Sequence, residues 1–222
     1  IVVRGIAKKK VMHKAIEEGR DFYYIDTGYF GNDKTKHYHR CVKNALQFNL
    51  PIWKDCPDDR FLKTGTQIRR YTPGENILLC PPSQKALSYW NVNLQEWLDS
   101  TVEKLKKYTK RPIVIREKQK RNVRTTEDTM EMALQRDVHC LVTYNSIAAV
   151  EALILGKPVF VMGPNAAEPM ANTDLSKINN PMMPTPEKVI QLCCNLAYGQ
   201  FTPSEMVDGT AWRILNEFYD RK

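Results

Sequence analysis

Two short apolar runs with a helix-forming stretch between them constrain this chain more than any other feature. In HCLVTYNSIAAVEALILGKPVFVMGP, residues 139–164, Cys140–Thr143 reads as a short buried strand and Tyr144-Asn145-Ser146 as a polar break. A helix is expected from there to Leu155, followed by a Gly156-Lys157-Pro158 turn and a second apolar strand over Val159–Met162. A strand–helix–strand unit of this kind builds a parallel sheet, because parallel neighbours need a long crossover between them. Ligands of open parallel sheets sit beyond the carboxyl ends of the strands, where the next helix offers N–H groups to an anion. Chemistry is therefore expected around Thr143–Ser146.

The same rhythm begins earlier. Ile77–Cys80 reads as a strand ending in Pro81-Pro82-Ser83, and Asn93 caps a helix to about Thr109 whose buried side is Leu94, Trp97, Leu98, Val102 and Leu105. Pro112–Arg116 is the next strand and delivers Arg116 and Lys118 to its carboxyl end, and Thr126–Asp137 reads as a further helix. Alternation of strands and helices over 77–162 argues for a Rossmann-like parallel sheet. After the loop 165–184, with prolines at 169, 181 and 184, two closing helices are expected over Pro186–Tyr198 and Ser204–Tyr219. Met206, Trp212, Ile214, Leu215 and Phe218 of the second are read as core.

Upstream, Ile1–Ile6 reads as a strand and Ala7–Gly19 as a helix with Val11, Ala15 and Ile16 on one face. Asp21–Ile25 forms a second strand, ending in Asp26-Thr27-Gly28-Tyr29-Phe30-Gly31. A carboxylate at a strand's carboxyl end suits a general base on an acceptor hydroxyl, and it equally suits the capping of a turn. Residues 32–70 interleave bases with aromatics: His37, Tyr38, His39, Arg40, Lys43, Trp53, Lys54, Arg60, Lys63, Arg69 and Arg70. Cations for phosphates and rings for exposed bases are what a nucleic-acid surface needs. His37 and His39 would share a strand face, but no acidic or Cys partner stands at metal-ligand spacing, so no metal site is expected. The turn-rich Tyr71–Asn76 marks the domain boundary, giving lobes 1–73 and 74–222.

With 222 residues and 42% hydrophobic content the chain is long enough for one large domain or two small ones. No run of about 18 apolar residues occurs, and Ile1–Ile6 leads directly into Lys8-Lys9-Lys10, so neither a membrane span nor a signal peptide is expected. Ile1 stands where an initiator methionine would, which points to a trimmed start. Six cysteines without a C-x-x-C pair read as reduced thiols of a cytosolic protein. The net charge of +8 is concentrated between Glu103 and Arg124, where ten Lys or Arg face two Glu. Such a run fits a polyanionic or phosphate-bearing partner, or a solvated helix face followed by a basic loop.

The pattern strand–T-x-N-S–helix–E-A-L-x-x-G-K-P-V-strand is carried here by Thr143, Asn145, Ser146, Glu151, Ala152, Leu153, Gly156, Lys157, Pro158 and Val159. It resembles the donor-binding half of GT-B glycosyltransferases, above all those that build capsule and surface polysaccharides, over roughly residues 77–164. The strand ending in Arg116 is similar to their basic strand end. The resemblance implies an α/β fold of two Rossmann-like lobes with parallel sheets, here with a reduced amino-terminal lobe. It also implies a nucleotide-sugar co-substrate, no other cofactor, and a carboxylate, Glu151, that accepts from ribose hydroxyls; otherwise Glu151 simply faces solvent.

Asn145, Ser146 and the helix start are suited to the phosphate. Arg116 and Lys118 would neutralise charge growing on the departing nucleotide, which replaces a metal. In the family the amino-terminal lobe holds the acceptor, which makes Asp26 the candidate base and Thr27, Gly28, Tyr29, His37, His39 and Arg40 the candidate acceptor contacts. The charge, the basic aromatic region and the small size favour a compact phage enzyme that glycosylates hydroxymethylated bases in DNA. A surface polysaccharide acceptor, and a non-catalytic nucleic-acid-binding protein, are the alternatives.

Overall fold

A computed structural model describes residues 1–32, 37–47, 54–117 and 129–219. Trp53, Lys118 and the basic residues from 118 to 124 lie outside the described residues, as does the side chain of Phe218. Along the chain run β1 (Val2–Arg4), α1 (Lys9–Glu17), β2 (Tyr23–Thr27), β3 (His39–Lys43) and α2 (Asp59–Leu62). Next come β4 (Asn76–Cys80), α3 (Gln84–Leu87), α4 (Leu94–Tyr108), β5 (Ile113–Ile115), α5 (Met130–Leu134), β6 (Val138–Thr143), α6 (Ala148–Ile154) and β7 (Val159–Val161). The chain closes with α7 (Pro186–Ala197), β8 (Gln200–Phe201), α8 (Pro203–Val207) and α9 (Thr210–Tyr219).

The chain divides into two compact units, one of residues 67–189 and one of residues 1–66 with 190–222. The boundary crosses α7, so the chain's end belongs with its beginning, whereas the sequence reading grouped 74–222 together. The reason is local to the first unit. β8 pairs with β3, Arg60 donates to the Gln200 carbonyl over 2.9 Å, and Ile214 and Leu215 of α9 pack with Tyr23, Cys41 and Phe201.

The unit of residues 67–189 carries a four-stranded sheet in the order β5-β4-β6-β7, with every pairing parallel. β6 is buried at all six positions, as expected of a strand covered on both faces. Its core joins Ile77, Leu79, Cys140, Val142 and Phe160 of the strands to Trp97 and Leu105 of α4 and to Leu175 and Ile178 of the following loop. Asn93 caps α4 as the sequence predicts, its Oδ1 accepting from Gln95 N at 2.9 Å and Glu96 N at 3.2 Å. α6 is buried along its whole length except at Glu151, and its alanines 148, 149 and 152 bring the helix close to the sheet.

The sheet of the other unit corrects the expectation of two parallel lobes. Its order is β1-β2-β3-β8, parallel between β1 and β2 but antiparallel in both remaining pairs. The crossover through α1 makes the first pair parallel, while the connection 28–38 is too short for a crossover helix and returns the chain antiparallel. α1 also turns from its expected face: Met12 and Ala15 are buried and Val11 and Ile16 exposed. The second closing helix is broken at Gly209, φ +84°, where Asp208 Oδ1 accepts from Thr210 N. Trp212 is 59% exposed rather than core, although its ring lies 5.5 Å from that of Tyr23.

All six cysteines are buried free thiols. No described helix is long and apolar enough to cross a membrane.

Candidate functional site

In the parallel unit, the carboxyl ends of the strands converge on the Thr143–Ser146 loop. Buried Thr143 ends β6, and its hydroxyl donates to the Cys80 carbonyl at the end of β4 over 2.6 Å. The same oxygen accepts from Ser146 N at 3.3 Å, and Ser146 Oγ accepts from Ala148 N at 3.3 Å. The Ser146 N–H of the loop and the Ala148 N–H that opens α6 are thus met by the loop's own hydroxyls, at lengths near the upper limit for a hydrogen bond. Asn145 is buried at the centre of the loop.

Two of the predicted charges act on Cys80 at the end of β4. Arg116 follows β5 and is held by its backbone, with Arg116 N donating to Leu79 O over 2.9 Å. Glu151, one turn into α6, is half-buried. Burial pushes the Cys80 thiol up to about 12, with the Arg116 guanidinium working against the rise and the Glu151 carboxylate adding to it. The thiol at the end of β4 therefore feels both charges.

The second half of the motif is structural. Gly156 has φ +71°, and a Cβ there would strike the Arg70 carbonyl. Lys157 is buried, its ammonium donating to the Thr72 carbonyl over 2.8 Å, and burial lowers its pKa. The Gly-Lys-Pro turn thus holds the segment around Arg69–Thr72 and carries no ligand group toward the loop.

Sequence reasoning missed how the loop is supported. Asn165, 3% exposed, donates from Nδ2 to Ser146 O over 3.0 Å and accepts at Oδ1 from Ala167 N at 2.9 Å. Tyr144 lies across Gly163, where a Cβ would stand 2.5 Å from the ring. Its other ring neighbours are Trp90, with centroids 5.8 Å apart, and Trp97, 6.1 Å apart. The Gly-Pro-Asn after β7 was the only available signal, and it reads as an ordinary turn.

In the other unit, Asp26 lies near the carboxyl end of β2. Its carboxylate accepts from the Tyr24 hydroxyl at 2.8 Å, from Thr27 N at 2.8 Å and from Arg40 Nη2 at 3.2 Å. Arg40 is 4% exposed and also donates to the carbonyls of Thr27 and Leu46. Its guanidinium stands over the Tyr24 ring at 5.5 Å. Burial and the Asp26 charge both push the Tyr24 phenol up.

Tyr29, 1% exposed, donates to the Gln47 carbonyl, so Tyr29 and Arg40 are built into the interior. Gln200 Oε1 accepts from Tyr29 N at 2.8 Å, and Gln200 Nε2 donates to Phe30 O over 3.2 Å, which fixes the Asp-Thr-Gly-Tyr-Phe-Gly loop from inside. Gly28 N donates to Tyr38 O over 2.9 Å, Thr27 pairs with His39 across the sheet, and His39 is half-buried. His37 lines a cleft of about 580 Å³ together with Tyr38, Lys63 and Thr64.

The expected nucleic-acid surface of residues 32–70 is partly consumed by these contacts. Arg40, Lys43 and Arg60 pair with Asp26, Asp21 and Glu205 inside this unit, while Arg69 of the other unit pairs with Glu131. Among the described residues no group of three or more His, Cys, Asp or Glu is placed to hold a metal ion.

No protein-family model matches the sequence, and no curated protein sequence is similar to it. A solved structure that is similar is that of Thermosulfurimonas dismutans KpsC, a beta Kdo 2,4 transferase. The match has a TM-score of 0.51 at 13% identity and covers 96% of this chain and 86% of that one. At this identity the likeness concerns the fold alone.

Proposed function

We propose that the chain is a glycosyltransferase that takes a nucleotide-sugar donor at the carboxyl edge of its parallel sheet. What supports this reading is the Thr143–Ser146 loop tied by its Thr143 hydroxyl to the Cys80 carbonyl at the end of β4, where the charges of Arg116 and Glu151 are both felt, on a fold similar to that of a sugar transferase. Asn145 and Ser146 hold the phosphate, where the N–H groups of the loop can exchange their long internal bonds for a charged acceptor. Glu151 accepts from the ribose hydroxyls. Arg116, with Lys118 beyond it, stabilises the charge that grows on the departing nucleotide, with no metal required. Asp26 remains the proposed base for the acceptor hydroxyl, with His37 and the cleft beside it as the place for the acceptor.

Of the two acceptors that the sequence left open, a glycan is favoured over a hydroxymethylated base of phage DNA. The likeness to a Kdo transferase spans nearly the whole chain, and several bases assigned to a DNA surface are engaged in ion pairs within their own unit. Calorimetric titration with a panel of nucleotide sugars, linked through one or two phosphates and including an activated Kdo donor, tests the reading. Saturable binding of one member, weakened by Arg116→Gln, is expected; no heat from any member would exclude the transferase function.

A further inference from the structure

Two of the pins on the Thr143–Ser146 loop come from the residues just after β7. Tyr144 is held because its ring lies across the backbone of Gly163, and Ser146 is held because its carbonyl accepts from Asn165 Nδ2 over 3.0 Å. That carbonyl also accepts from Ala149 N at 3.2 Å, the first hydrogen bond of α6. Asn165 therefore grips the point where loop becomes helix. Its own orientation is fixed by Ala167 N on Oδ1, and Ala166 and Ala167 are fully buried beside it.

We infer that Asn165 is a positioning residue for the donor's phosphate. This rests on the transferase reading above and adds to it the group that gives the phosphate loop its shape before any ligand arrives. A phosphate bound by backbone N–H groups needs them aimed at one point, and a loop set in advance does not have to be ordered on binding. Asparagine suits the place because it must donate at one end and accept at the other in a site that excludes water. Aspartate would repel the Ser146 carbonyl and bring negative charge toward the phosphate. Alanine would leave that carbonyl with its helical partner alone and open space beside it.

The test compares nucleoside with nucleotide. The probes are cytidine, uridine, adenosine and guanosine with their mono- and diphosphates, measured by calorimetry on the parent protein and on Asn165→Ala and Asn165→Asp. For the base that the parent prefers, both variants should lose about tenfold or more in nucleotide affinity, Asn165→Asp the more, while nucleoside affinity stays within twofold. Equal loss for nucleoside and nucleotide means a general packing role, and unchanged nucleotide affinity means no role; either result overturns the inference. Should the variants fail to fold, the parent labelled with nitrogen-15 decides: the Asn165 side-chain amide signals should shift with nucleotide and not with nucleoside. Absence of that difference counts against the inference alone. Absence of any nucleotide binding by the parent removes the donor reading itself.

Discussion

The hydroxyl of Thr143 donates to the carbonyl of Cys80 over 2.6 Å, tying the carboxyl ends of two adjacent parallel strands together at the edge of the sheet where the donor is proposed to bind. Strand ends have no further ladder partners and tend to fray. Here the side chain of one strand supplies the last bond to the backbone of the next, and its oxygen then accepts from Ser146 N. One atom thus links sheet, loop and helix start.

Thr143→Val keeps the shape and removes that oxygen. It leaves a buried carbonyl and an N–H without their present partner, a loss of about 1–3 kcal/mol in stability. Thr143→Ser restores the oxygen at the cost of one methyl and should recover most of it. Urea unfolding of the three proteins, with donor titration alongside, checks both effects; donor affinity should follow the hydroxyl and not the methyl.

Gly163→Ala places a methyl where the Tyr144 ring now lies, 2.5 Å away. The ring must move, and with Trp90 and Trp97 packed around it the movement is resisted. Overpacking of this kind costs about 1–3 kcal/mol. Donor affinity should fall as well, because Tyr144 precedes Asn145 in the loop. Tryptophan fluorescence gives a direct reading, since Trp90 and Trp97 border the displaced ring. An unchanged emission spectrum together with unchanged stability would mean that the ring swings aside at no cost.

The parallel unit was legible because its signals are local. Continuous apolar strands such as Cys140–Thr143, the Asn93 cap and the polar break at 144–146 each announce themselves within a few residues. The other unit was not, because its organisation is long-range. β8 is two residues long, and Gln200 acts on Tyr29 and Phe30 from far along the sequence. Arg40 and Arg60 read as surface charge since nothing nearby in sequence names their partners, Asp26 and Glu205. The Gly-Lys-Pro turn shows the same limit in reverse: its residues were visible, but their purpose depends on the backbone of Arg70 and Thr72.

Acidification should destabilise the protein through His139. The imidazole is buried, its Nε2 lies 2.8 Å from the Ile178 carbonyl, and burial lowers its pKa, with the carbonyl partly opposing. The folded state thus resists a proton that the unfolded chain accepts near the ordinary histidine value, about 6.5. Stability from this group is complete above that value and declines as pH falls through it, by at most about 1.4 kcal/mol for each unit. Urea midpoints between pH 8 and 5 should show the decline in the parent, and His139→Gln should flatten it. Equal slopes would assign the acid sensitivity elsewhere.

Asp26 has two readings that one substitution separates. As counterion to Arg40, its carboxylate accepts from Arg40 Nη2, the Tyr24 hydroxyl and Thr27 N at once. Asp26→Asn preserves the shape but can present only one oxygen, so either Thr27 N or the Arg40 and Tyr24 pair must face an amide N–H₂. The buried guanidinium then lacks a full negative charge. Breaking a buried pair costs several kcal/mol, but the Asp26 side chain is 41% exposed, and solvent screening reduces the expected loss to about 1–2 kcal/mol. As general base, the same carboxylate would be needed for turnover, and its loss would lower kcat by about 10²–10⁴ while leaving donor affinity alone. Measuring the unfolding midpoint and kcat on the same preparation distinguishes the two. A lower midpoint with near-parental kcat makes Asp26 a structural counterion; an unchanged midpoint with collapsed kcat makes it the base; both losses together mean that Arg40 holds the carboxylate in place for chemistry, in which case Arg40→Lys should also reduce kcat.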